Sequence, residues 1–328
     1  MNNFERNSVF APHLLARVKA LDMAAEAHSL LKGDADVEIS GVSHSEQTFA
    51  CGPHTAKTVT IEILDDYGAE LLGRDIGSYI TIELPAMQTA GTGDLLQAVG
   101  QQIAQTICRL LPPNIPTTQP ILLVGLGNLQ TTADAIGPRV ISHIQPTNHI
   151  FRPDFATDIR PVAALSPGVV GNTGIETADL IKDVCSRLDP AAVIAIDALA
   201  AGKIANVLGS IQICDTGIRP GSGVQNHRKA INQDYLGVPV LAIGIPTVVQ
   251  ATAIIHEVVQ LCQNHPPKLD ARQIIHQMLA DFEQPPVLTP KEADELIPLA
   301  SRIIAAGLTM ALHPAADKNN YADYMQGV

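Results

Sequence analysis

The sequence contains no tryptophan, and aromatic residues make up only 3% of its 328 residues. Apolar residues nevertheless reach 46%, which is enough for a sizeable core and excludes an intrinsically disordered chain. Because that core must consist mainly of Ala, Val, Ile and Leu, the composition favours a buried parallel sheet covered by helices. The length is compatible with one large domain or two modest ones.

Charged residues are also few, at 16%, and the acidic ones dominate: 33 Asp and Glu against 21 Lys and Arg give a net charge of −12. An acidic surface disfavours phosphate contacts, so we expect no direct nucleic-acid partner. No run of 18 apolar residues is free of charge, and the first twenty residues lack the apolar segment of a signal peptide. The sequence therefore predicts neither a membrane partner nor secretion.

The five cysteines are scattered and form no C-x-x-C pair, a pattern typical of reduced thiols in a cytoplasmic protein. The eleven histidines form neither H-E-x-x-H nor H-x-H, so we expect no metal site. No G-x-S-x-G motif is present. The loop G-L-G-N carries Gln130 where a dinucleotide-binding motif needs its third glycine. We accordingly expect no cofactor.

The order of patterns predicts the fold class. Two alternating runs at 58–64 and 78–85 predict a small N-terminal β-containing region. From residue 121 apolar runs alternate with helical patterns, which predicts an α/β, three-layer domain with a mostly parallel central sheet flanked by helices. At the C-terminal end, Thr289, Pro290 and Glu292 form a capping pattern that predicts a helix over 289–313.

Two aspartates occupy positions where α/β proteins place functional groups. Asp134 follows the strand pattern I-L-L-V-G-L-G-N, and Asp197 follows the apolar run V-I-A-I. Functional groups of open α/β sheets cluster beyond the carboxyl ends of the strands. Each aspartate could instead cap the helix that follows it, and the residues alone leave both interpretations open. Two neighbouring carboxylates that share a proton and hold a water would suit an acid–base hydrolase.

Two glycine-rich loops are further candidates. The loop P-G-V-V-G-N-T-G-I-E-T could present backbone N–H groups to a substrate, or it could be a plain turn; its candidate substrate-binding residues are Gly168, Gly171, Thr173 and Gly174. The loop 215–228 is long and polar, which is typical of an active-site loop. Its candidates are Arg219, Ser222, Asn226 and His227.

These stretches together resemble the germination protease family of endospore-forming bacteria. The resemblance rests on V-G-L-G-N, A-D-A-I-G-P, P-G-V-V-G-N-T-G-I-E-T-A-D, V-I-A-I-D-A-L-A-A, I-Q-I-C-D-T-G-I-R-P-G-S-G-V-Q-N-H-R-K, L-G-V-P-V-L-A-I-G-I-P-T-V-V and L-T-P-K-E-A-D, in this order. It covers residues 22 to 313, and the region 264–288 looks shortened.

The resemblance implies an atypical aspartic endopeptidase without a cofactor, whose architecture is similar to that of hydrogenase maturation endopeptidases. It implies that Asp134 and Asp197 are catalytic. It also implies a homotetramer that degrades small acid-soluble spore proteins in the cytoplasm of the spore core during germination. One aspartate would be the general base and the other the general acid, and the sequence does not assign the two roles.

The resemblance further implies an inactive precursor that removes its own N-terminal segment. The family cuts after an acidic residue that is followed by an apolar residue, Ala, a variable residue and Glu. The segment L-D-M-A-A-E fits this pattern, which predicts a propeptide over 1–22, cleavage between Asp22 and Met23, and a peptidase domain over 23–328. We expect the basic, apolar leader to lie over an acidic cleft. Chance similarity in an Ala-rich helix start is the alternative.

Three other functions stay open from the sequence. A relative of this fold could use the two aspartates to bind a metal. The chain could be a non-catalytic spore protein, or a nucleoside-processing hydrolase on a similar α/β fold. For the peptidase interpretation, Arg219 is the candidate to bind the acidic residue before the cut, because a guanidinium matches a carboxylate.

Overall fold

A computed structural model of the chain describes residues 10, 12–33, 38–84, 87, 90–151, 160–221, 228–262, 270–280, 282 and 286–313. Its strands are β1 (Val42–Cys51), β2 (His54–Ile63), β3 (Gly77–Glu83), β4 (Ile121–Gly125), β5 (Val162–Leu165), β6 (Ala192–Ala201), β7 (Ser210–Cys214), β8 (Val240–Gln250) and β9 (Val287–Leu288). Its helices of seven residues or more are α1 (Pro12–Lys19), α2 (Ala24–Lys32), α3 (Asp66–Leu72), α4 (Gly100–Leu110), α5 (Ile136–Ser142), α6 (Thr177–Leu188), α7 (Ala251–Cys262), α8 (Ala271–Leu279) and α9 (Ala293–Leu312).

All nine of these strands belong to one mixed sheet in the order β1-β2-β3-β7-β8-β6-β4-β5, with β9 paired to β8. The neighbours β5, β4, β6 and β8 run parallel. The strands on the other side pair antiparallel, from β8 through β7 and β3 to β1. The predicted N-terminal β-containing region is therefore present and is continuous with the central sheet.

Helices cover both faces of this sheet, which confirms the predicted α/β layered class. On one face α4, α5 and α9 pack on alternate residues of the parallel strands, such as Ile121 and Leu123 of β4 and Ile194 of β6. On the other face α6 packs on Leu122 and Val124, while α1, α2 and α3 cover the antiparallel strands. Because both faces of β4 are buried, its sequence is continuously apolar instead of alternating.

Helix α9 is long and apolar enough to cross a membrane by length and composition, but 61% of that apolar stretch is buried inside the fold. It packs along α4 and α5 as a core helix. The helix begins at Ala293, later than the capping pattern predicts. The Thr289 hydroxyl donates instead to the carbonyl of Thr247 in β8, at 2.8 Å, so the capping-box prediction is wrong because a tertiary partner takes the hydroxyl.

Candidate active site

Asp197 lies inside β6, not at its end. The neighbouring β4 ends at Gly125, which pairs with Ile196, so the Asp197 position comes directly after the last β4 pairing. The side chain is only 6% exposed, and its Oδ1 accepts a hydrogen bond from the N–H of Ala198 at 2.9 Å. The sequence predicts Asp197 at the end of a strand, but β6 continues to Ala201 and stays paired in parallel with β8; only the pairing with β4 ends before Asp197.

Asp134 closes a short 3-10 turn, Thr132–Asp134, between β4 and α5. Its Oδ2 accepts a hydrogen bond from the N–H of Asn128 at 2.8 Å. Gly127 adopts a φ of +111°, and a Cβ at this position would lie 2.1 Å from the Asp134 carbonyl oxygen. The glycine is therefore required for the close approach of the β4 loop to Asp134.

Close backbone packing brings the two aspartates to the same place. The N–H of Leu126 donates to the carbonyl of Ile196 at 2.8 Å, which ties the end of β4 to the residue before Asp197. Gly137, in the first turn of α5, packs against the backbone of both Leu126 and Ile196. A Cβ at this position would lie 2.2 Å from the Leu126 carbonyl oxygen and 2.6 Å from the Ile196 carbonyl oxygen. The helix that follows Asp134 is thus seated directly against the strand that carries Asp197.

The two carboxyl groups have different electrostatic environments. Burial, together with the negative charges of Asp134 and Asp22, raises the pKa of Asp197 to about 8, even though the Ala198 N–H and Arg228 act to lower it. Burial also raises the pKa of Asp134, but the Asn128 N–H and Arg228 oppose this rise. Asp197 is therefore the carboxyl group that retains a proton near neutral pH.

Arg228 is the cation that acts on both carboxyl groups. It lies three residues before Ile231, which forms an antiparallel bridge with Ile218 through backbone hydrogen bonds of 2.8 and 2.9 Å. The next residue, Lys229, binds the Asp179 carboxylate of α6 at 2.7 Å. These contacts fix the end of the loop 215–228 over the aspartates. Sequence reasoning missed Arg228, because one arginine in a long polar loop carries no periodic signal.

Asp134, Asp197 and Arg228 line a cleft of about 330 Å³. An adjoining cavity of about 310 Å³ lies beside it, and both are lined by Arg219 and Arg228. Gly168 and Arg219, predicted from the loops, also line the first cleft; the remaining wall includes Leu126, Gly127, Thr177, Ala198, Leu199, Ala200 and Thr247.

Three other loop candidates are not among the residues that line this cleft. Gly171, Thr173 and Gly174 are exposed, and the Thr173 hydroxyl bonds to backbone groups of its own loop instead of facing the cleft. Ser222, Asn226 and His227 lie outside the described residues. Arg219 contacts Asp75 at 3.4 Å on the surface.

The predicted processing site lies at the same cleft. Asp22 lines both cavities, and its Oδ2 accepts a hydrogen bond from the N–H of Ala200 at 2.8 Å. Met23 is buried, with 1% of its surface exposed. The buried Gln212 side chain bridges this segment: its Nε2 donates to the Asp22 carbonyl at 3.2 Å, and its Oε1 accepts from the Ala24 N–H at 2.7 Å.

Within the part of the chain that the structure describes, no group of three or more His, Cys, Asp or Glu side chains is arranged to hold a metal ion. All five cysteines are free thiols. The chemistry that the described cleft offers is therefore that of two carboxyl groups in different protonation states beside an arginine.

A layered α/β fold whose cleft holds one buried and one partly buried carboxyl group of unequal pKa is compatible with the class of hydrolases. Comparison with known families identifies this chain as a member of the germination protease family, whose family model matches residues 17–270. The chain therefore belongs to a family of endopeptidases that act in spores.

Several curated relatives carry the name germination protease. The protein of Caldanaerobacter subterraneus subsp. tengcongensis is 39% identical over 89% of this chain and 94% of its own length. The Clostridium perfringens protein (strain ATCC 13124) is 37% identical with the same coverage, and that of Priestia megaterium is 34% identical over 94% of this chain and 95% of its own. These identities confirm the family predicted from the motifs.

Among solved structures, the chain is similar to a [NiFe] hydrogenase maturation protease, HycI, from Thermococcus kodakarensis. The match has a TM-score of 0.30 and 14% identity, and it covers 58% of this chain and 93% of the other.

Proposed function

We propose that this chain is a metal-free aspartic endopeptidase that begins the degradation of small acid-soluble spore proteins during germination, in the cytoplasm of the spore core. The observation that carries the proposal is the pairing of Asp134 and Asp197 in one cleft with unequal pKa values. Hydrolysis of a peptide bond by two carboxyl groups needs one ionised and one protonated partner.

In the proposed reaction Asp134 is the general base. Its carboxylate removes a proton from a water, which attacks the peptide carbonyl carbon. Asp197 starts protonated, because burial raises its pKa to about 8, and it donates a hydrogen bond to the carbonyl oxygen. Collapse of the tetrahedral intermediate breaks the C–N bond, and a carboxyl proton passes to the leaving amine.

We assign the recognition of an acidic residue before the cut to Arg228 in preference to Arg219. Arg228 lines both cavities and acts electrostatically on both aspartates. Arg219 also lines both cavities, but its side chain is 64% exposed and contacts Asp75. A guanidinium close to the reacting carboxyl groups can bind a substrate carboxylate at the scissile bond.

We further propose that the chain is made as a zymogen and cuts itself between Asp22 and Met23. Asp22 lies in the cleft and is close enough to Asp197 to raise its pKa, which supports this position for the scissile bond. The leader then inhibits by occupying the cleft. The resemblance to the family supports a homotetramer as the assembled form.

The test is a cleavage assay on a small acid-soluble spore protein, run in parallel with and without a chelator. It compares the full chain, allowed to process itself, with its Asp134→Asn and Asp197→Asn variants. We expect cuts after acidic residues, an N-terminus at Met23, and a loss of about a thousandfold or more in each variant. Activity that disappears only with chelator would favour a metal enzyme, and folded but inert protein in every case would favour a non-catalytic role.

A further inference from the structure

Beyond Asp197, strand β6 has an edge without a strand partner among the described residues. Strand β4 makes its last pairing at Gly125 with Ile196, whereas β6 continues to Ala201. The Ile196 carbonyl faces β4, because it accepts from the N–H of Leu126. Backbone groups of alternate residues in a strand point to the same side. The N–H and C=O groups of Ala198 and Ala200 therefore point to the side of β6 on which β4 pairs with Ile196, but beyond the end of β4.

The N–H groups along this edge are bound by carboxylates. The three alternate donors and their acceptors are Ala198 with Asp197 Oδ1 at 2.9 Å, Ala200 with Asp22 Oδ2 at 2.8 Å, and Gly202 with Glu26 Oε2 at 2.8 Å. In a continuous sheet such donors would pair with the carbonyl oxygens of a neighbouring strand. Here side-chain oxygens take the place of those main-chain acceptors.

The three carboxyl groups differ in how the surrounding structure holds them in place. Asp197 precedes its own donor. Glu26 belongs to α2, whose Ala24 and Ala27 are fully buried, and its second carboxylate oxygen binds the Asn206 amide. Asp22 precedes α2 and lies on the leader side of the proposed cleavage point, although its carbonyl accepts a hydrogen bond from Gln212. Of the three donors, the Ala200 N–H is therefore the one whose acceptor can be exchanged.

The exchangeable donor lies next to the reacting groups. Ala198, Leu199 and Ala200 line the cleft together with Asp134 and Asp197. An extended chain that adds to this edge would pass directly by the two carboxyl groups. Glu26 closes the edge at Gly202, which limits the open stretch to Ala198–Ala200.

We propose that the β6 edge at Ala198–Ala200 is a strand-addition site for an extended polypeptide substrate. The Ala200 N–H donates to a substrate main-chain carbonyl, and in the full-length chain the Asp22 carboxylate occupies this donor. Substrate is then recognised through its backbone, as in other edge-strand complexes, and side-chain pockets add selectivity. This inference rests on the proposed peptidase function.

The test measures binding of a peptide with the sequence of residues 17–28 and of a series N-methylated at one position each. The protein is the full chain carrying Asp134→Asn to prevent cleavage, with and without Asp22→Ala. We expect the parent peptide to bind about tenfold more tightly when Asp22 is replaced. N-methylation should weaken binding about tenfold only at the one or two alternate peptide positions whose N–H groups face Ala198–Ala200, and it should leave the neighbouring positions unchanged, because N–H groups of successive residues in a strand point to opposite sides.

Amide hydrogen exchange is a second measurement of the same site, and Asp22→Asn is the matched control. Amide hydrogen exchange over 198–202 should accelerate in Asp22→Ala and slow again when peptide is added. Asp22→Asn, whose side-chain oxygen can still accept from Ala200, should behave like the parent chain. Three results would each overturn the proposal. They are equal sensitivity of binding to N-methylation at neighbouring positions, unchanged peptide affinity after Asp22→Ala, and an amide exchange rate over 198–202 that does not change when peptide is added.

The same peptides distinguish this proposal from the proposed function. In the chain with Asp134 intact, a peptide whose binding is sensitive to N-methylation at alternate positions but which is never cut would contradict the proposed peptidase function and still support the strand-addition site. Peptide that is cut after its aspartate without any alternation would overturn the strand-addition site alone.

Discussion

The Asp134 carboxylate accepts a hydrogen bond from the backbone N–H of Asn128 at 2.8 Å. Asn128 lies at the start of the loop that follows β4, and this donor opposes the rise in pKa that burial causes in Asp134. Asp197 also accepts one backbone hydrogen bond, but it is more deeply buried and faces the charge of Asp134. This difference between two similar side chains supports the proposed roles of Asp134 as the base and Asp197 as the acid.

We predict a bell-shaped dependence of kcat/KM on pH. Activity needs Asp134 ionised and Asp197 protonated, so the rate should rise as Asp134 loses its proton and fall as the pH passes about 8. Because the two groups interact, the limits belong to the pair. The measurement is peptide cleavage across this range under constant ionic strength, and a rate that keeps rising at alkaline pH would contradict the assignment of Asp197 as the acid.

Asp197→Asn should change how stability depends on pH. The folded-state pKa of Asp197 is raised above its unfolded value, so its protonated form favours folding at low pH, and this contribution is lost as the pH rises towards about 8. The variant lacks this loss, and we expect it to be more stable than the parent at pH 8 by about 5 kcal/mol. Urea unfolding at acidic and alkaline pH measures the difference, and parallel pH profiles of the two proteins would refute it.

The two arginines of the cleft should differ in function. We expect Arg228→Gln to lower cleavage after Asp by about 10- to 100-fold relative to cleavage after Asn, since a charge-assisted hydrogen bond is lost. It should also shift the acidic limb of the pH profile upward, because Arg228 lowers the pKa of Asp134. Arg219→Gln is the matched control, with an exposed side chain that contacts Asp75. A selective loss in Arg219→Gln alone would return the recognition role to Arg219.

Gly137→Ala should damage the site through the backbone. The added methyl group would meet the carbonyl oxygens of Leu126 and Ile196 at 2.2 and 2.6 Å, so α5 must move away from β4 and β6. We expect a loss of about 2 kcal/mol or more in the free energy of unfolding, together with reduced activity. Gly171→Ala, which meets nothing within 4 Å, is the control and should leave both nearly unchanged. Equal effects of the two substitutions would contradict this packing role.

The sequence predicts the parallel part of the fold well, because buried parallel strands are continuous apolar runs that end near functional residues. It does not reveal β1, whose central residues are mostly exposed and polar, so no alternating pattern marks the strand. It also does not reveal that β7 runs antiparallel to β8, since a strand buried on both faces is apolar in either direction.

The site was predictable to a similar extent. Both aspartates follow apolar runs and are visible in the sequence, and they line one cleft. Arg228 and Gln212 were not visible, because their positions depend on the Ile218–Ile231 bridge and on the pairing of β7 in the sheet. Contacts between distant segments leave no local signal in the sequence.

The Gln212 side chain holds both sides of the predicted cleavage point, the Asp22 carbonyl and the Ala24 N–H. Upstream, α1 packs into the core through Val18, which is fully buried, and Arg74 donates to the Leu21 carbonyl. A nick between Asp22 and Met23 leaves all of these contacts in place. We therefore expect the proposed cleavage and the dissociation of the leader to be separate events, with the leader retained as a bound peptide until α1 detaches from the core.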